Sequence, residues 1–306
     1  MDPENFRIPS AKGDVQLNCY RWMPEGEPRA VMQITHGMVE HILRYSHFAE
    51  FLADKVIEVY GHDHRGHGRT SPDDLGFIAD KHGDIELVED LHQLSLRIRE
   101  SHPDIPLVVL GHSMGSFVTR LLLTTHGEVL DGAIIMGTGN QPASTVKVGV
   151  LISKIVCLFR GKRHVSPFLR KMVLGGNDKK VNASKGSNMW LTTDEEQLRK
   201  YNEDPLCDFG FTAAAYRDLL TMIKRLVTED GFDNLPKDVP VLFVSGADDA
   251  VGEFGKGVRR AEEALRSRGM ETSVILYEGA RHEILNERTR DKVYSDILGW
   301  IGTHWS

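Results

Sequence analysis

The stretch LVVLGHSMG at residues 107–115 decides the fold. Its first four residues are all apolar, which predicts a short strand buried on both faces. Gly111 and Gly115 flank Ser113, and a helical pattern follows from about Phe117. A side chain at either glycine would meet neighbouring backbone, so glycine permits a sharp turn there. The stretch therefore predicts a strand, a tight turn and a helix, with the Ser113 hydroxyl lifted out of the sheet as a candidate nucleophile.

Similar apolar runs recur along the chain and alternate with segments of helical spacing. This alternation predicts βα units, and so an α/β fold with a mainly parallel β-sheet flanked by helices. The predicted strands lie at residues 15–22, 30–35, 56–60, 107–110, 132–136, 241–245 and 273–277.

The βα rhythm breaks at residues 140–206, where basic clusters, a glycine pair and polar turns appear. It resumes with a helical segment at 212–227 and the strand at 241. We therefore predict one core domain in two halves, residues 1–139 and 207–306, with an inserted cap at 140–206.

Charge and composition exclude some functions. The chain has 306 residues and a formal net charge of −7, so it lacks the positive charge that nucleic-acid binding requires. Cys19, Cys157 and Cys207 are widely separated and form no cluster at zinc-ligand spacing, so we expect free thiols in a reducing compartment, with no metal and no cofactor. The first residues show no secretory signal, and Lys147 and Lys154 interrupt the longest apolar stretch. The sequence thus predicts a cytoplasmic protein without a transmembrane helix.

A serine nucleophile needs a base, and the base needs a carboxylate that orients it. His282 follows the predicted strand at 273–277 and is the predicted base. The acid is one of two neighbours, Asp248 or Asp249, just after the strand at 241–245. We favour Asp249, which lies three residues after Gly246.

The oxyanion of an acyl-transfer intermediate needs preorganised N–H donors. The amide of Met114 stands at the start of the helix that follows Ser113, where the helix dipole favours negative charge. The loop HGMVEH at residues 36–41 follows the strand at 30–35, and Met38 is its predicted donor. The histidine-rich stretch GHDHRGHG at 61–68 resembles a metal site, but its glycines and arginine favour a structural turn.

These motifs together with YEGARHE at 277–283 closely resemble the monoacylglycerol lipase and lysophospholipase-like branch of the α/β-hydrolase superfamily. The resemblance covers about residues 15–300 and weakens inside the insertion. It implies Ser113 as nucleophile, Asp249 as acid and His282 as base, with the amides of Met38 and Met114 as the oxyanion hole. One departure is Ser116, where such relatives often have glycine.

The resemblance also implies that the cap covers an acyl-chain tunnel. The apolar segment at 148–159 would line it, with Ile152, Ile155 and Phe159 as substrate-binding residues. The alternative is that these residues only pack the cap onto the core. A basic cluster at 160–163 suggests transient contact of the cap with an anionic membrane surface.

The favoured function is therefore a cofactor-free serine hydrolase that cleaves carboxylic esters of single-chain lipids, monoacylglycerols or lysophospholipids, through an acyl-enzyme on Ser113. One alternative keeps the same catalytic residues for a small non-lipid substrate, as in esterases and aminopeptidase-like hydrolases. The other is a non-catalytic receptor with a hydrolase fold, which the complete set of catalytic residues disfavours.

Overall fold

The computed structural model describes residues 2–181 and 187–305. Its strands are β1 (Glu4–Pro9), β2 (Gln16–Trp22), β3 (Ala30–Thr35), β4 (Ile57–His62), β5 (Leu107–His112), β6 (Gly132–Met136), β7 (Val241–Gly246) and β8 (Thr272–Tyr277). In these ranges they form a single sheet in the order β1-β2-β4-β3-β5-β6-β7-β8. β2 runs antiparallel to both of its neighbours, and every pair from β4 to β8 is parallel. The predicted α/β architecture is confirmed.

Helices cover both faces of the sheet. They are α1 (Ser46–Ala53), α2 (Gly83–Ser101), α3 (Met114–Thr125), α4 (Ala143–Arg160), α5 (Pro167–Leu174), α6 (Asn177–Lys180), α7 (Glu195–Glu203), α8 (Ala213–Val227), α9 (Lys256–Arg266) and α10 (Arg290–His304). Short 3₁₀ turns lie at Ile42–Tyr45, Gly127–Val129, Phe232–Asn234 and Ile284–Asn286. One core combines α1 and α10 with one face of the sheet, and the other combines α2, α3, α8 and α9 with the opposite face.

The segment between β6 and β7 departs from a simple crossover, because it contains α4 to α8. Helix α8 corresponds to the predicted helix at 212–227, and the Thr212 side chain caps it by accepting the Ala215 N–H at 3.3 Å. Ser166 caps α5 in the same way. The division into two core halves and a cap stays a prediction, and residues 182–186 of that cap lie outside the described residues. None of the described helices is long and apolar enough to cross a bilayer.

Candidate active site

The carboxyl ends of the parallel strands bring the predicted site residues to one edge of the sheet. Thr35 at the end of β3 pairs with Gly111 of β5, and Gly246 at the end of β7 pairs with Tyr277 of β8. Ligand sites of open α/β sheets form at this edge.

Ser113 stands on a strained turn between β5 and α3. Its backbone angles are φ 51° and ψ −114°, a conformation that a serine rarely adopts. A Cβ at Gly111 would lie 2.4 Å from the Gly115 carbonyl oxygen, and a Cβ at Gly115 would lie 2.1 Å from the carbonyl oxygen of Thr35. Only glycine fits both positions, so the sequence around Ser113 is what permits the turn.

His282 and Asp249 form a buried pair. His282 Nδ1 lies 3.0 Å from Asp249 Oδ2, and the other oxygen of Asp249 accepts the Val251 N–H at 2.8 Å. The Nε2 atom of His282 is buried without a hydrogen-bond partner among the described residues. The structure thus places Asp249 against His282, whereas Asp248 is exposed.

The pKa values of this pair shift in opposite directions. Burial alone would raise the pKa of Asp249, but His282 and the hydrogen bonds that Asp249 accepts lower it below its ordinary value. Burial alone would lower the pKa of His282, yet Asp249 raises it above its ordinary value. This arrangement stabilises an imidazolium on His282, which a general base needs when it takes a proton.

The loop after β3 is fixed by buried polar contacts. The Gly37 N–H donates to Glu40 Oε1 at 2.6 Å, and His36 Nδ1 lies 2.7 Å from the Gly37 carbonyl oxygen. The amides of Met38 and Met114 have no acceptor within the described part of the chain. Both residues line the same cavity as Ser113 and His282, so their N–H groups remain available.

A buried ion network supports this loop. Arg44 donates to Glu40 at 2.5 Å and to both oxygens of Glu283 at 2.7 and 2.6 Å. Burial alone would raise the pKa of Glu40, but Arg44 and His112 hold it well below its ordinary value. The Tyr45 hydroxyl also donates to Glu40 at 2.9 Å. One guanidinium thus bridges two carboxyl groups next to the cavity.

The segment 189–192 contacts His282 and both of its chain neighbours, which the sequence did not predict. The Arg281 guanidinium donates to the Met189 carbonyl at 2.6 Å, and the Glu283 N–H donates to the Leu191 carbonyl at 2.7 Å. Between these contacts, the Trp190 ring lies 5.0 Å from the His282 ring, centroid to centroid. No local pattern signals these contacts, because they join segments about 90 residues apart.

The catalytic candidates open into a cavity of about 600 Å³. This volume is within the range of small-molecule sites. Three polar residues of the wall, Glu40, Tyr201 and Glu283, cluster around the Arg44 guanidinium, and we call this part of the wall the polar end. The remaining wall is largely apolar and comes mostly from the segment between β6 and β7; it includes Val146, Ile152, Val173, Leu174, Leu219, Leu220 and Ile223.

The structure separates the three predicted substrate-binding residues of α4. Ile152 lines the cavity together with Val148 and Gly149. Ile155 and Phe159 do not line it: they are 46% and 78% exposed. For these two residues the expectation was wrong. The cavity contacts residues 145–152 of α4, whereas Ile155 faces outward and Phe159 lies beyond the part of the helix that lines the cavity.

The histidine-rich stretch at 61–68 forms a buried turn. Asp63 accepts the N–H groups of Ile42 and Arg69 at 3.0 and 2.8 Å, and the His64 N–H donates to His36 at 3.0 Å. Burial lowers the pKa of both His62 and His67 to about 4. These hydrogen bonds hold the turn against the loop that contains Met38.

Fold and site together define an α/β-hydrolase. Residues 26–289 match the family described as "Serine aminopeptidase, S33", and the chain belongs to this family. It is 28% identical to the monoglyceride lipase of Mus musculus over 93% of this chain and 86% of that protein. It is also 28% identical to the monoacylglycerol lipase of Mycolicibacterium smegmatis, over 95% of each chain.

A solved esterase structure is similar to this chain over its whole length. A thermostable carboxyl esterase from Bacillus coagulans, in complex with glycerol, superposes with a TM-score of 0.92 at 27% identity and full coverage of both chains. These comparisons confirm the predicted monoacylglycerol lipase-like branch and identify the chain as a serine ester hydrolase.

Proposed function

We propose that the protein hydrolyses carboxylic esters of single-chain lipids, of the monoacylglycerol or lysophospholipid type, through an acyl-enzyme on Ser113. The observation that carries this proposal is the largely apolar cavity of about 600 Å³ with Ser113, His282 and a polar end in its wall. An acyl chain fits the apolar wall, and a hydroxylated leaving group fits the polar end. The predicted cytoplasmic location stays a prediction.

In this proposal His282 Nε2 takes the Ser113 proton as Oγ attacks the ester carbonyl. The amides of Met38 and Met114 hold the resulting oxyanion, and Asp249 stabilises the imidazolium. The intermediate collapses by breaking the bond to the alcohol oxygen, which receives the proton from His282. Water then attacks the acyl-enzyme while His282 accepts its proton. As the second tetrahedral intermediate breaks the bond to Oγ, His282 returns that proton to Ser113 and the acid leaves.

Membrane contact is the second part of the proposal. Exposed apolar side chains lie on α4, on α5 and in the segment between them, and we call them the apolar patch: Val148, Leu151, Ile155, Leu158, Phe159, Val165, Phe168 and Met172. Val148 and Met172 belong both to this patch and to the cavity wall. The cavity therefore reaches the surface within the patch, where a lipid could pass from a membrane into the site. Exposed apolar side chains concentrated in one segment often mark interaction sites.

A chain-length series tests the proposal against the small-substrate alternative. Nitrophenyl and monoglyceride esters are assayed below their critical micelle concentrations. Each methylene that enters the cavity contributes roughly 0.8 kcal/mol, less the cost of ordering it. We expect kcat/KM to rise from acetyl to medium or long acyl esters and to fall when the cavity is full. A maximum at acetyl would refute the lipid assignment and leave the serine mechanism intact.

A further inference from the structure

Three side chains with metal-ligating atoms meet beside the loop that contains Met38. They are His41, Asp204 and Cys207, and one ligand atom of each lies within 4.8 Å of the other two. His41 Nε2 is 2.8 Å from Asp204 Oδ2. We propose that these residues bind a thiophilic divalent cation such as Zn²⁺.

The donor set matches zinc chemistry. Zinc takes imidazole nitrogen, carboxylate oxygen and thiolate sulfur, and three protein ligands with one water complete a tetrahedral site. Bonds of usual length separate such ligand atoms by roughly 3.5 Å, so only a small rearrangement is needed here. Magnesium and calcium prefer oxygen ligands, so the thiol selects against both.

The backbone already holds the ligands together. Asp204 Oδ1 accepts the Leu206 N–H at 2.8 Å, and the Cys207 N–H donates to the Asp204 carbonyl at 3.0 Å, which forms a turn with both side chains in reach of one ion. The Asp208 N–H donates to the Val39 carbonyl at 3.0 Å and joins this turn to the loop that bears His41. The site is therefore largely preorganised.

Burial and charge suit an ion at this position. His41 and Cys207 are buried, while the Asp204 side chain is 31% exposed and leaves a route from solvent. The nearby guanidinium of Arg44 is bonded to Glu40 and Glu283. Among the described residues Asp204 pairs with His41 and with no Lys or Arg, so no cationic side chain competes with a dication for its carboxylate.

Binding also requires a proton to leave. Zinc binds the thiolate form of cysteine, so the Cys207 proton leaves to solvent when the ion binds. The bound ion would link the loop after β3 to the turn after α7. Both segments border the polar end of the cavity.

A second group of donors provides an internal control. Glu89, His92 and His126 also come close together. Their two imidazole rings stack at 3.8 Å with a 13° angle between planes, so their lone pairs run nearly parallel instead of meeting at one ion. We therefore assign the site to the set with Cys207.

The test is a titration of the metal-free full chain with Zn²⁺ by calorimetry and with Co²⁺ by absorption. We expect one equivalent to bind, with the charge-transfer band of a cobalt–thiolate bond. Cys207→Ser should abolish the band and weaken Zn²⁺ binding by roughly 100-fold, since even partners of metal ligands cost 10–100-fold when lost. His41→Gln should also weaken binding, whereas Cys157→Ser should change nothing.

No cobalt–thiolate band in the unaltered protein, or a band that persists in Cys207→Ser, would overturn the proposal. Zn²⁺ binding that survives Cys207→Ser and disappears in His126→Gln would do so too, since it would place the ion at the second group. Circular dichroism of each variant verifies that it is folded, and the Co²⁺ spectrum of the unaltered protein needs no variant at all.

Discussion

The two sides of the cavity are built differently. The side formed by the strand ends is polar, buried and tied by hydrogen bonds, as the Asp249 and His282 pair shows. The side formed by the segment between β6 and β7 is apolar and partly exposed, with Ile152 inside and Ile155 outside. In the proposed function, the strand-end side carries out the reaction and the segment between β6 and β7 selects the ester.

The largest effect should come from the strand-end side, at the paired aspartates. Asp249→Asn should lower kcat by about 10⁴-fold, because the amide no longer fixes the His282 tautomer or stabilises its imidazolium. Asp248→Asn is the matched control, and its exposed side chain predicts little change. Turnover of a soluble ester measures both variants. The opposite ranking would transfer the acid role to Asp248.

The buried histidine-rich turn at 61–68, which packs against the loop that contains Met38, should make the free energy of unfolding depend on pH. Burial lowers the pKa of His62 to about 4 in the folded chain, against 6.5 as its ordinary value. Between pH 6.5 and 4, His62 binds a proton in the unfolded state but not in the folded state. Acidification through this range therefore lowers the free energy of unfolding by up to roughly 1.4 kcal/mol per pH unit for this residue. Stability is regained as pH rises through 6.5.

Denaturant titrations from pH 7 to 4.5 check this prediction. His62→Phe should show a smaller loss of unfolding free energy per pH unit than the unaltered protein. His47→Gln, which alters an exposed histidine, is the control and should leave the slope unchanged. Equal slopes for His62→Phe and the unaltered protein would show that His62 contributes nothing to acid sensitivity.

On the apolar side, a matched pair of variants separates the inner and outer surfaces of α4. Ile152→Asp should reduce kcat/KM for long-chain esters by roughly tenfold or more, because the charge meets the apolar tail, and should spare acetyl esters. Ile155→Asp should leave soluble esters unaffected but weaken binding to lipid vesicles. Equal losses on all chain lengths for Ile152→Asp would instead indicate damage to the fold of the segment.

We expect the smallest change in kcat at Trp190, a residue of the segment between β6 and β7 whose ring packs on His282. Trp190→Leu should lower kcat by up to about tenfold, because the ring no longer packs on His282 or favours its imidazolium. Trp190→Phe should retain most activity. The loss should be similar for acetyl and octanoyl esters, since it acts through His282. A loss confined to octanoyl esters would assign Trp190 to acyl binding alone.

The sequence predicted the strand-end side well, because its determinants are local. Gly111 and Gly115 are required by the turn at Ser113, and uniformly apolar runs mark strands covered on both faces. The strand β1 was missed because its residues, ENFRIP, are mostly exposed at the sheet edge and show no apolar run.

The inserted side was predicted less well, since its determinants are contacts between distant segments. Helical spacing predicts that Ile152 and Phe159 lie on similar faces of α4. It does not predict where along the helix the cavity ends. The expectation of no metal considered only ligands close together in the sequence, whereas His41 and Asp204, which our proposal joins, are 163 residues apart. The contacts of Arg281 and Glu283 with the segment around Trp190 likewise required the tertiary structure.

The most direct test of the central claim, an acyl-enzyme on Ser113, is intact-mass measurement after treatment with a fluorophosphonate, followed by peptide mapping. An activated serine displaces fluoride and retains the phosphonyl group. We predict one adduct on the peptide with Ser113, none in Ser113→Ala, and loss of ester turnover on the order of 10⁴-fold or more in that variant. An adduct elsewhere, or near-native turnover in Ser113→Ala, would contradict the account.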